Sequence, residues 1–474
     1  MLIKNYDNFI RVPKKYLIPI LVFIVSSIYF ISMTSSVGTF FNVASDAPLF
    51  LIAAKYLRLG HPSPGSPLYH LLNAGWLQII PIASDYYSLA IFNALCSAGV
   101  ATTLYLITKK ILAPLIWMSA GVVVTQSTIL EQYAMCVLFM VVSYWLYTKD
   151  KRSFAYAVAS FGVMVNHLAG IAILVYLAND LYNHRNIKPF LWSFVSLPLL
   201  LYVPLVNRPP YLMIGGASFK DYWDYFSGAR FGGGLVMGLA IIPMDDFLQR
   251  GNEFLRIFLG SLGVAFFIAI LAIKKYWKES FVLPMLFIFP TFYWFTNLDP
   301  ATYTYTVVSI AFATLLVCKY NWKLGNTVCT IGCVLLIFLN YTWYDLGRTL
   351  DPYNSQQIWY EELDKLEPGA VLQTNRSGMA SLWVMMYNLE NGTEIVNIKR
   401  EVLHSTLDQR PALVEKVLEA EEKGILYETV IVDNDTYFME TYNVTSSDIV
   451  KWIVESPWTL GNSQDFDYST VRTQ

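Results

Sequence analysis

Residues 132–183 read QYAMCVLFMVVSYWLYTKDKRSFAYAVASFGVMVNHLAGIAILVYLANDLYN. This stretch contains three apolar runs, which are separated by polar turns at 149–152 and 166–167. Apolar runs of about 17–25 residues are typical of helices that cross a bilayer, and the shorter runs here fit short spans. The stretch therefore predicts consecutive membrane-spanning helices, and the rest of the chain repeats its pattern.

The composition of the whole chain agrees with this stretch. Of its 474 residues, 55% are apolar and 14% are charged, and the mean hydropathy is +0.43. Soluble chains carry about a quarter of charged residues, so the composition argues against a wholly soluble protein. The cysteines lie in apolar runs and predict neither a disulfide framework nor a metal site. They are Cys96, Cys136, Cys318, Cys329 and Cys333.

The apolar runs predict a polytopic α-helical membrane protein with about eleven spans. The spans are 16–34, 86–108, 111–128, 132–148, 153–166, 168–183, 189–206, 254–273, 280–297, 301–318 and 324–344. Short cytoplasmic loops are enriched in Lys and Arg, and a cytoplasmic N-terminus places 16 basic residues in inner segments and 7 in longer outer ones. The same orientation predicts an extracytoplasmic C-terminus.

Charge divides the chain into two regions. Through Asp345 there are 23 Lys and Arg against 14 Asp and Glu, a net charge of +9; from Leu346 onward there are 10 against 21, a net charge of −11. We therefore predict a transmembrane domain at 1–345 and an acidic extracytoplasmic domain at 346–474, which is not expected to bind nucleic acid. The second domain is predicted to be a small α/β fold. Its predicted strands lie at 370–374, 395–398 and 429–433, and its helix at 411–423.

Two outer loops are predicted within the transmembrane domain, at 35–85 and 207–250. In the first, residues 46–60 predict a short helix that begins at Asp46. The helix has an apolar stripe, which predicts that it lies on the membrane surface. A second, re-entrant or surface helix is predicted at 67–81. The stripe consists of Leu49, Ile52, Ala53 and Tyr56.

Ionisable side chains gather at the predicted outer face. They are Asp46, His61, Glu131, His167 and Asp299. Each has a purely structural explanation, because an acid at a helix start is stabilised by free N–H groups and a lone interfacial histidine is commonly a polar cap. The functional alternative is a base at the membrane surface, Asp46, beside Lys55, Arg58 and His61, which could hold a phosphate. No ionisable residue is predicted mid-span, which argues against a pump or a charged pore.

The first outer loop resembles that of a known membrane family. The matching residues are Ser45-Asp46 with Phe50, followed by Leu59-Gly60-His61-Pro62-Ser63-Pro64-Gly65-Ser66-Pro67-Leu68-Tyr69. The family pattern is Asp-x-Gly-Glu-Phe, then Gly-His-Pro-Pro-Gly-x-Pro-Leu. The family includes the ER transmembrane protein O-mannosyltransferase and is grouped with the C-type (GT-C) glycosyltransferases, which use lipid-linked sugar donors. This chain departs from the pattern at Pro48, where the family has Gly, at Leu49, where it has Glu, and at the inserted Ser63.

Further motifs follow in the family's order. Glu131-Gln132-Tyr133-Ala134 resembles Ala-Glu-Val-Tyr-Ala-Leu, and Phe161-Gly162 with Asn166-His167-Leu168 resembles Gly-Leu-Ser-x-x-Asn-His. Residues 219–231 are similar to a loop ending in Gly-x-x-Tyr, and Asp299-Pro300 to an Asp-Pro before a late span. In the tail, the similar segments are 366–372 and Asn388-Leu389-Glu390-Asn391-Gly392. The resemblance covers most of the chain.

The resemblance implies a GT-C-like fold and an inverting, multi-pass glycosyltransferase of a prokaryotic cell membrane or a eukaryotic ER membrane. It would move a sugar, a hexose such as mannose, from a polyprenyl-phosphate donor to a protein or glycan hydroxyl on the extracytoplasmic or lumenal face. Asp46, as general base, and Glu131 are the implied catalytic residues. The implied substrate-binding and donor-binding residues are Lys55, Arg58, His61, His167, Arg230 and Asp299.

Two alternatives remain open. One is a catalytically degenerate family member, which Leu49 favours. The other is a lipid or polysaccharide translocator, which would need a polar path through the spans. The sequence shows no dedicated metal site, although one acid together with the donor phosphate could hold a divalent ion.

Overall fold

A computed structural model describes most of the chain. The described residues are 14–34, 47–56, 66–80, 85–199, 244–277, 279, 281–296, 305–320, 322–350, 360–374, 384, 387–388, 390–398, 409–431 and 439–455. The helices of the amino-terminal part are α1 Lys14–Met33, α2 Ala47–Tyr56, α3 Pro67–Ile79, α4 Asp85–Thr108, α5 Leu112–Ser119, α6 Gly121–Ser127, α7 Tyr133–Thr148, α8 Arg152–Val163, α9 Gly170–Asn179, α10 Met244–Leu262, α11 Val264–Tyr276, α12 Val282–Thr296, α13 Thr306–Tyr320 and α14 Lys323–Leu350. Short 3₁₀ turns at His167–Ala169 and Lys188–Phe194 and a π turn at Asp180–His184 complete this part.

The chain is an integral membrane protein by the length and composition of its helices. Among the described residues, the stretches Tyr16–Met33, Asp85–Thr108 and Lys323–Thr342 are each long and apolar enough to cross a membrane. The outward faces of α1 and α14 are strongly apolar: Ile28 is 63% exposed and Phe338 is 68% exposed. A continuous exposed apolar face is stable in lipid and not in water, so these two helices line the outside of the bundle. The predicted total of eleven spans stays a prediction.

Two predicted spans are broken. The predicted span 111–128 is divided at Ala120, whose ψ of 115° is not helical, into α5 and α6. The predicted span 254–273 is bent, because α10 and α11 meet at 104° at Gly263, and the pair forms either a broken span or a re-entrant loop. Gly263 has φ +52°, a conformation that is costly for any residue with a Cβ atom. The span was predicted from hydropathy averaged over a window of residues. Such an average does not detect a bend in the backbone between two apolar helices.

Three of the segments predicted to be cytoplasmic lie together in the structure. The Lys110 Nζ group donates to the carbonyl oxygen of Cys318, and the Tyr276 hydroxyl donates to the carbonyl oxygen of Lys319 at 2.8 Å. The ammonium group of Lys319 also lies 4.3 Å from the centre of the Tyr276 ring. Exposed Trp277 stands at the same end of the bundle, as expected for a residue at a membrane interface. The shared end agrees with the predicted loop pairing.

We expect a membrane-impermeant maleimide to label Glu419→Cys but not Lys151→Cys in intact cells. Both positions are exposed, and the basic loops predict that Lys151 faces the cytoplasm and Glu419 the outside. The five native cysteines are buried, so the parent protein should give a low background. Lysis should make Lys151→Cys reactive. Labelling of Lys151→Cys in intact cells, with none at Glu419→Cys, would reverse the orientation.

The helix predicted at 46–60 is observed as α2, and its described apolar residues pack against protein; its position relative to the membrane surface stays a prediction. Phe50 and Leu51 are 0% and 2% exposed, and Ala53 and Ala54 are buried as well. The Phe50 ring lies 5.0 Å from that of Tyr69 in α3, in an edge-to-face arrangement. The apolar residues 50–54 of α2 are buried because α2 packs against α3 and α4, whereas Lys55 near its end is exposed. The second predicted helix of this loop is observed as α3.

A buried ionic network holds the end of α9, opposite the end that carries His167. Asp180 is 0% exposed. One carboxylate oxygen accepts hydrogen bonds from the Tyr147 hydroxyl at 2.7 Å and the Arg152 guanidinium at 3.3 Å; the other accepts from the Tyr156 hydroxyl at 3.0 Å. Asp180 lies at the end of the predicted span 168–183 and not mid-span, and the sequence did not single out this buried acid. Three donors from α7 and α8 make its burial tolerable.

The C-terminal part contains a four-stranded sheet, with strand order β2-β1-β3-β4. β1 is parallel to β2 and β3, whereas β3 and β4 are antiparallel. The strands are β1 Val371–Thr374, β2 Val396–Asn397, β3 Leu426–Ile431 and β4 Met439–Asn443, and the helices are α15 Arg410–Glu422 and α16 Ser446–Glu455. A core that includes Val417, Leu426 and Ile453 joins the helices to the sheet. The predicted third strand, at 429–433, begins three residues earlier in the structure.

Candidate functional site

Three of the predicted site residues lie within the described part of the chain: Lys55, Glu131 and His167. The others lie outside the described residues: Asp46, Arg58, His61, Arg230 and Asp299. Helix α2 begins at Ala47, the residue that follows Asp46. The geometry of the site is therefore built from α2, α3, the start of α7 and the turn between α8 and α9.

Glu131 stands in the short non-helical link between α6 and α7. Glu131 is 9% exposed. The side-chain amide of Asn93 in α4 donates to the carbonyl oxygens of Gln126 and Ile129, both at 2.8 Å, and so fixes the link. Glu131 lies two residues before α7 begins at Tyr133, where the helix dipole stabilises a negative charge. This position fits both the structural explanation and a second acid in the site.

The described end of the first motif, Ser66 to Tyr69, contacts the two later motifs. The Ser66 hydroxyl, just before α3, is hydrogen-bonded to the side-chain oxygen of Gln132. The backbone N–H of Leu68 donates to the carbonyl oxygen of Met164 at 3.0 Å. Ser66, Gln132 and Met164 are buried, and Leu68 is partly buried. The two bonds place the start of α3 against the start of α7 and the α8–α9 turn, although about 65 and 100 residues separate these segments in the sequence.

His167 lies on the same surface through an aromatic neighbour. Its ring centre is 6.0 Å from that of Tyr305, which is 5.8 Å from that of Tyr133. Asn166, just before His167, accepts a hydrogen bond from the backbone N–H of Leu168 at 3.0 Å and caps the short turn that follows. His167 is thus held by local backbone structure, and Tyr305 bridges it to the start of α7.

Lys55 is held between two carboxylates. Its ammonium nitrogen lies 2.9 Å from an Asp85 oxygen and 2.8 Å from a Glu390 oxygen. Partial burial acts to lower the pKa of Lys55, but hydrogen bonds and charge from Glu390 and Asp85 outweigh it and raise that pKa above its usual range. Lys55 is therefore positively charged and held in place. The side chain that was predicted to bind a phosphate binds the carboxylates of Asp85 and Glu390 in this structure.

The two parts of the site are linked through α3. Tyr69 of α3 packs on Phe50 of α2, and Ser66, just before α3, is hydrogen-bonded to Gln132, the residue that follows Glu131. The structure also shows site residues that the sequence did not single out, namely Ser66, Gln132, Tyr305, Asp85 and Glu390. Ser66, Gln132 and Glu390 were each inside a recognised motif, whereas Asp85 and Tyr305 carried no signal.

Among the described residues, no group of three or more His, Cys, Asp or Glu side chains could hold a metal ion.

The likeness of this chain to known proteins lies in its structure. No model of a known protein family matches the chain, and no curated protein sequence matches it. The crystal structure of ArnT from Cupriavidus metallidurans bound to undecaprenyl phosphate is similar to this chain with a TM-score of 0.49 and 11% identity, over 91% of this chain and 98% of that one. A likeness at this score does not by itself establish a shared family or activity.

Proposed function

We propose that this chain is a membrane glycosyltransferase that moves a sugar, a hexose such as mannose, from a polyprenyl-phosphate donor to a hydroxyl of a protein or glycan on the extracytoplasmic or lumenal face. One observation carries the proposal: three motifs that resemble the C-type glycosyltransferases meet at one end of the helical bundle. They meet through the Ser66–Gln132 and Leu68–Met164 hydrogen bonds. Tyr305 extends this cluster to His167.

The proposed reaction is a single displacement with inversion. The acceptor oxygen attacks the anomeric carbon of the sugar, a new C–O bond forms, and the bond between that carbon and the phosphate oxygen breaks. The proton of the hydroxyl group passes to the carboxylate of Asp46, and the electron pair of the broken bond stays on the phosphate. A correctly placed base of this kind contributes roughly 10²–10⁴-fold to the rate.

The other residues of the proposed site would bind the donor phosphate and the substrates. Lys55, Arg58 and Arg230 would stabilise the phosphate as it leaves, while the prenyl chain stays in the lipid. Glu131 is proposed as the second acid. His61, His167 and Asp299 would contact the substrates. A divalent ion held by one acid and the donor phosphate stays a prediction.

The proposal is tested with the purified full-length protein in lipid nanodiscs and a radiolabelled polyprenyl-phosphate mannose donor. We expect time-dependent loss of the donor and release of polyprenyl phosphate when a hydroxyl-bearing acceptor peptide or glycan is added. A nucleotide-linked mannose at the same concentration should not be consumed, because it lacks the lipid chain. Failure of the folded protein to consume any polyprenyl-phosphate hexose in a panel of such donors would contradict the proposal.

A second candidate is favoured by Leu49, which stands where the family has Glu. In this case the chain is a degenerate member that binds a lipid-linked sugar without transferring it. The same assay separates the two candidates, since a degenerate member would retain the donor on the protein and leave its glycosidic bond intact.

A further inference from the structure

Glu390 lies at the end of a short helical segment, and hydrogen bonds from Asn388 fix the backbone that follows it. The Asn388 side chain donates to the carbonyl oxygen of Ile395 at 2.8 Å and accepts hydrogen bonds from the Thr393 hydroxyl at 2.9 Å and the Ile395 N–H at 3.2 Å. Gly392 has φ +65° and donates its N–H to the carbonyl oxygen of Asn388 at 3.0 Å. The hydrogen bonds of Asn388 therefore fix the backbone on both sides of Glu390.

Both carboxylate oxygens of Glu390 are used. One oxygen pairs with the Lys55 ammonium group at 2.8 Å, and the other accepts a hydrogen bond from the Tyr360 hydroxyl at 2.6 Å. Tyr360 packs partly against the main helical core and also against Tyr387 of the C-terminal part. The contact therefore joins the C-terminal domain to the end of α2, a helix that begins next to Asp46.

The charges around Lys55 do not favour a further anion. Among the described residues, the ammonium group of Lys55 faces the carboxylates of Asp85 and Glu390, at distances of 2.9 and 2.8 Å. A phosphate added to this arrangement would meet two like charges within a few ångströms, so it must replace one carboxylate. Asp85 lies in the first turn of α4, where the helix dipole stabilises it without Lys55. Glu390 lies instead at the C-terminal end of a short helical segment that ends before Gly392, where the helix dipole disfavours a negative charge, so Glu390 is the carboxylate that can leave.

We propose that Glu390 occupies, in the absence of substrate, the place on Lys55 that the phosphate of the lipid-linked donor takes, so that donor binding releases this contact with the C-terminal domain. The inference rests on the proposed function and adds a residue from the C-terminal domain to the donor site. Glu390 and the donor phosphate compete for one cation, whereas Asp85 stays paired with it throughout.

The test measures binding of radiolabelled undecaprenyl phosphate to the full-length protein in nanodiscs. Glu390→Gln removes the competing charge and should tighten binding roughly two- to fivefold, as expected for a partly exposed ion pair. Lys55→Gln should weaken binding about tenfold, and adding Glu390→Gln to it should change nothing more. Glu394→Gln, an exposed acid four residues away, is the matched control for net charge and should bind like the parent.

A second measurement follows the contact itself. A zero-length carbodiimide should cross-link Lys55 to both Glu390 and Asp85, which mass spectrometry resolves. Saturating undecaprenyl phosphate should deplete the Lys55–Glu390 product and spare the Lys55–Asp85 product. Unchanged or weaker binding by Glu390→Gln, with normal binding by the parent, would overturn this inference and leave the proposed function standing. No binding by the parent or by Glu390→Gln would overturn both.

Discussion

Asp46→Asn is expected to lower the rate of sugar transfer by roughly 10²–10⁴-fold while the protein is still made and folded. Asparagine has nearly the same shape as aspartate and caps a helix about as well, but it cannot accept the acceptor's proton. If Asp46 were only the cap of α2, the change should cost well under ~1 kcal/mol and leave the rate near normal. Initial rates at saturating donor and acceptor, with equal amounts of protein in nanodiscs, measure the difference.

Two controls make this result interpretable. The thermal unfolding midpoint of Asp46→Asn should match that of the parent, which shows that any loss of rate is not a loss of folding. Asp150→Asn changes an exposed acid in the turn between α7 and α8 and should keep the parental rate. Parental activity in Asp46→Asn would remove Asp46 from the role of base and make Glu131→Gln the next variant to examine.

Asp180→Ala is expected to destabilise the protein by about 3–5 kcal/mol. The change leaves the hydroxyl groups of Tyr147 and Tyr156 and the guanidinium of Arg152 without their shared acceptor, and the side chain of Asp180 is 0% exposed. Removing one partner of a buried ionic network strands the others in a medium that cannot solvate them. The unfolding midpoint of the purified protein in detergent measures the loss.

Arg152 supplies the matched control. It also pairs with Asp150 at 2.9 Å, but the Asp150 side chain is 81% exposed. Water and salt screen that pair, so Asp150→Asn, which also tolerates the φ of +57° at this position, should cost no more than about 1 kcal/mol. Equal losses in the two variants would show that burial does not set the strength of the network, and the interpretation of Asp180 as a structural anchor would then be wrong.

The helices of the bundle could be predicted largely from the sequence. Most of the predicted spans are found as helices, among them α1, α4, α7 and α14, because long apolar runs leave the backbone no alternative in lipid. The predicted strands at 370–374 and 395–398 are found as β1 and β2. The sharp bend at Gly263 was missed, since one backbone dihedral angle does not alter average hydropathy.

The candidate site was predictable only in part. Glu131 and His167 stood out by residue type and motif, and the structure places both motifs beside the start of α3. Asp85 and Tyr305 did not stand out, because an acid at a helix start and a tyrosine near a span are common in any membrane protein. Their roles depend on which residues lie opposite them.

The sequence by itself determined the membrane character of this protein, the position of most helices and the chemical types of the candidate residues. These properties follow from composition and periodicity along the chain, which act locally. Only the tertiary structure decided that residues 50–54 of α2 are buried, that Asp180 lies among three donors, and that Glu390 reaches Lys55 from 335 residues away. Such pairings depend on helix packing and the geometry of the whole fold, and no local pattern encodes them.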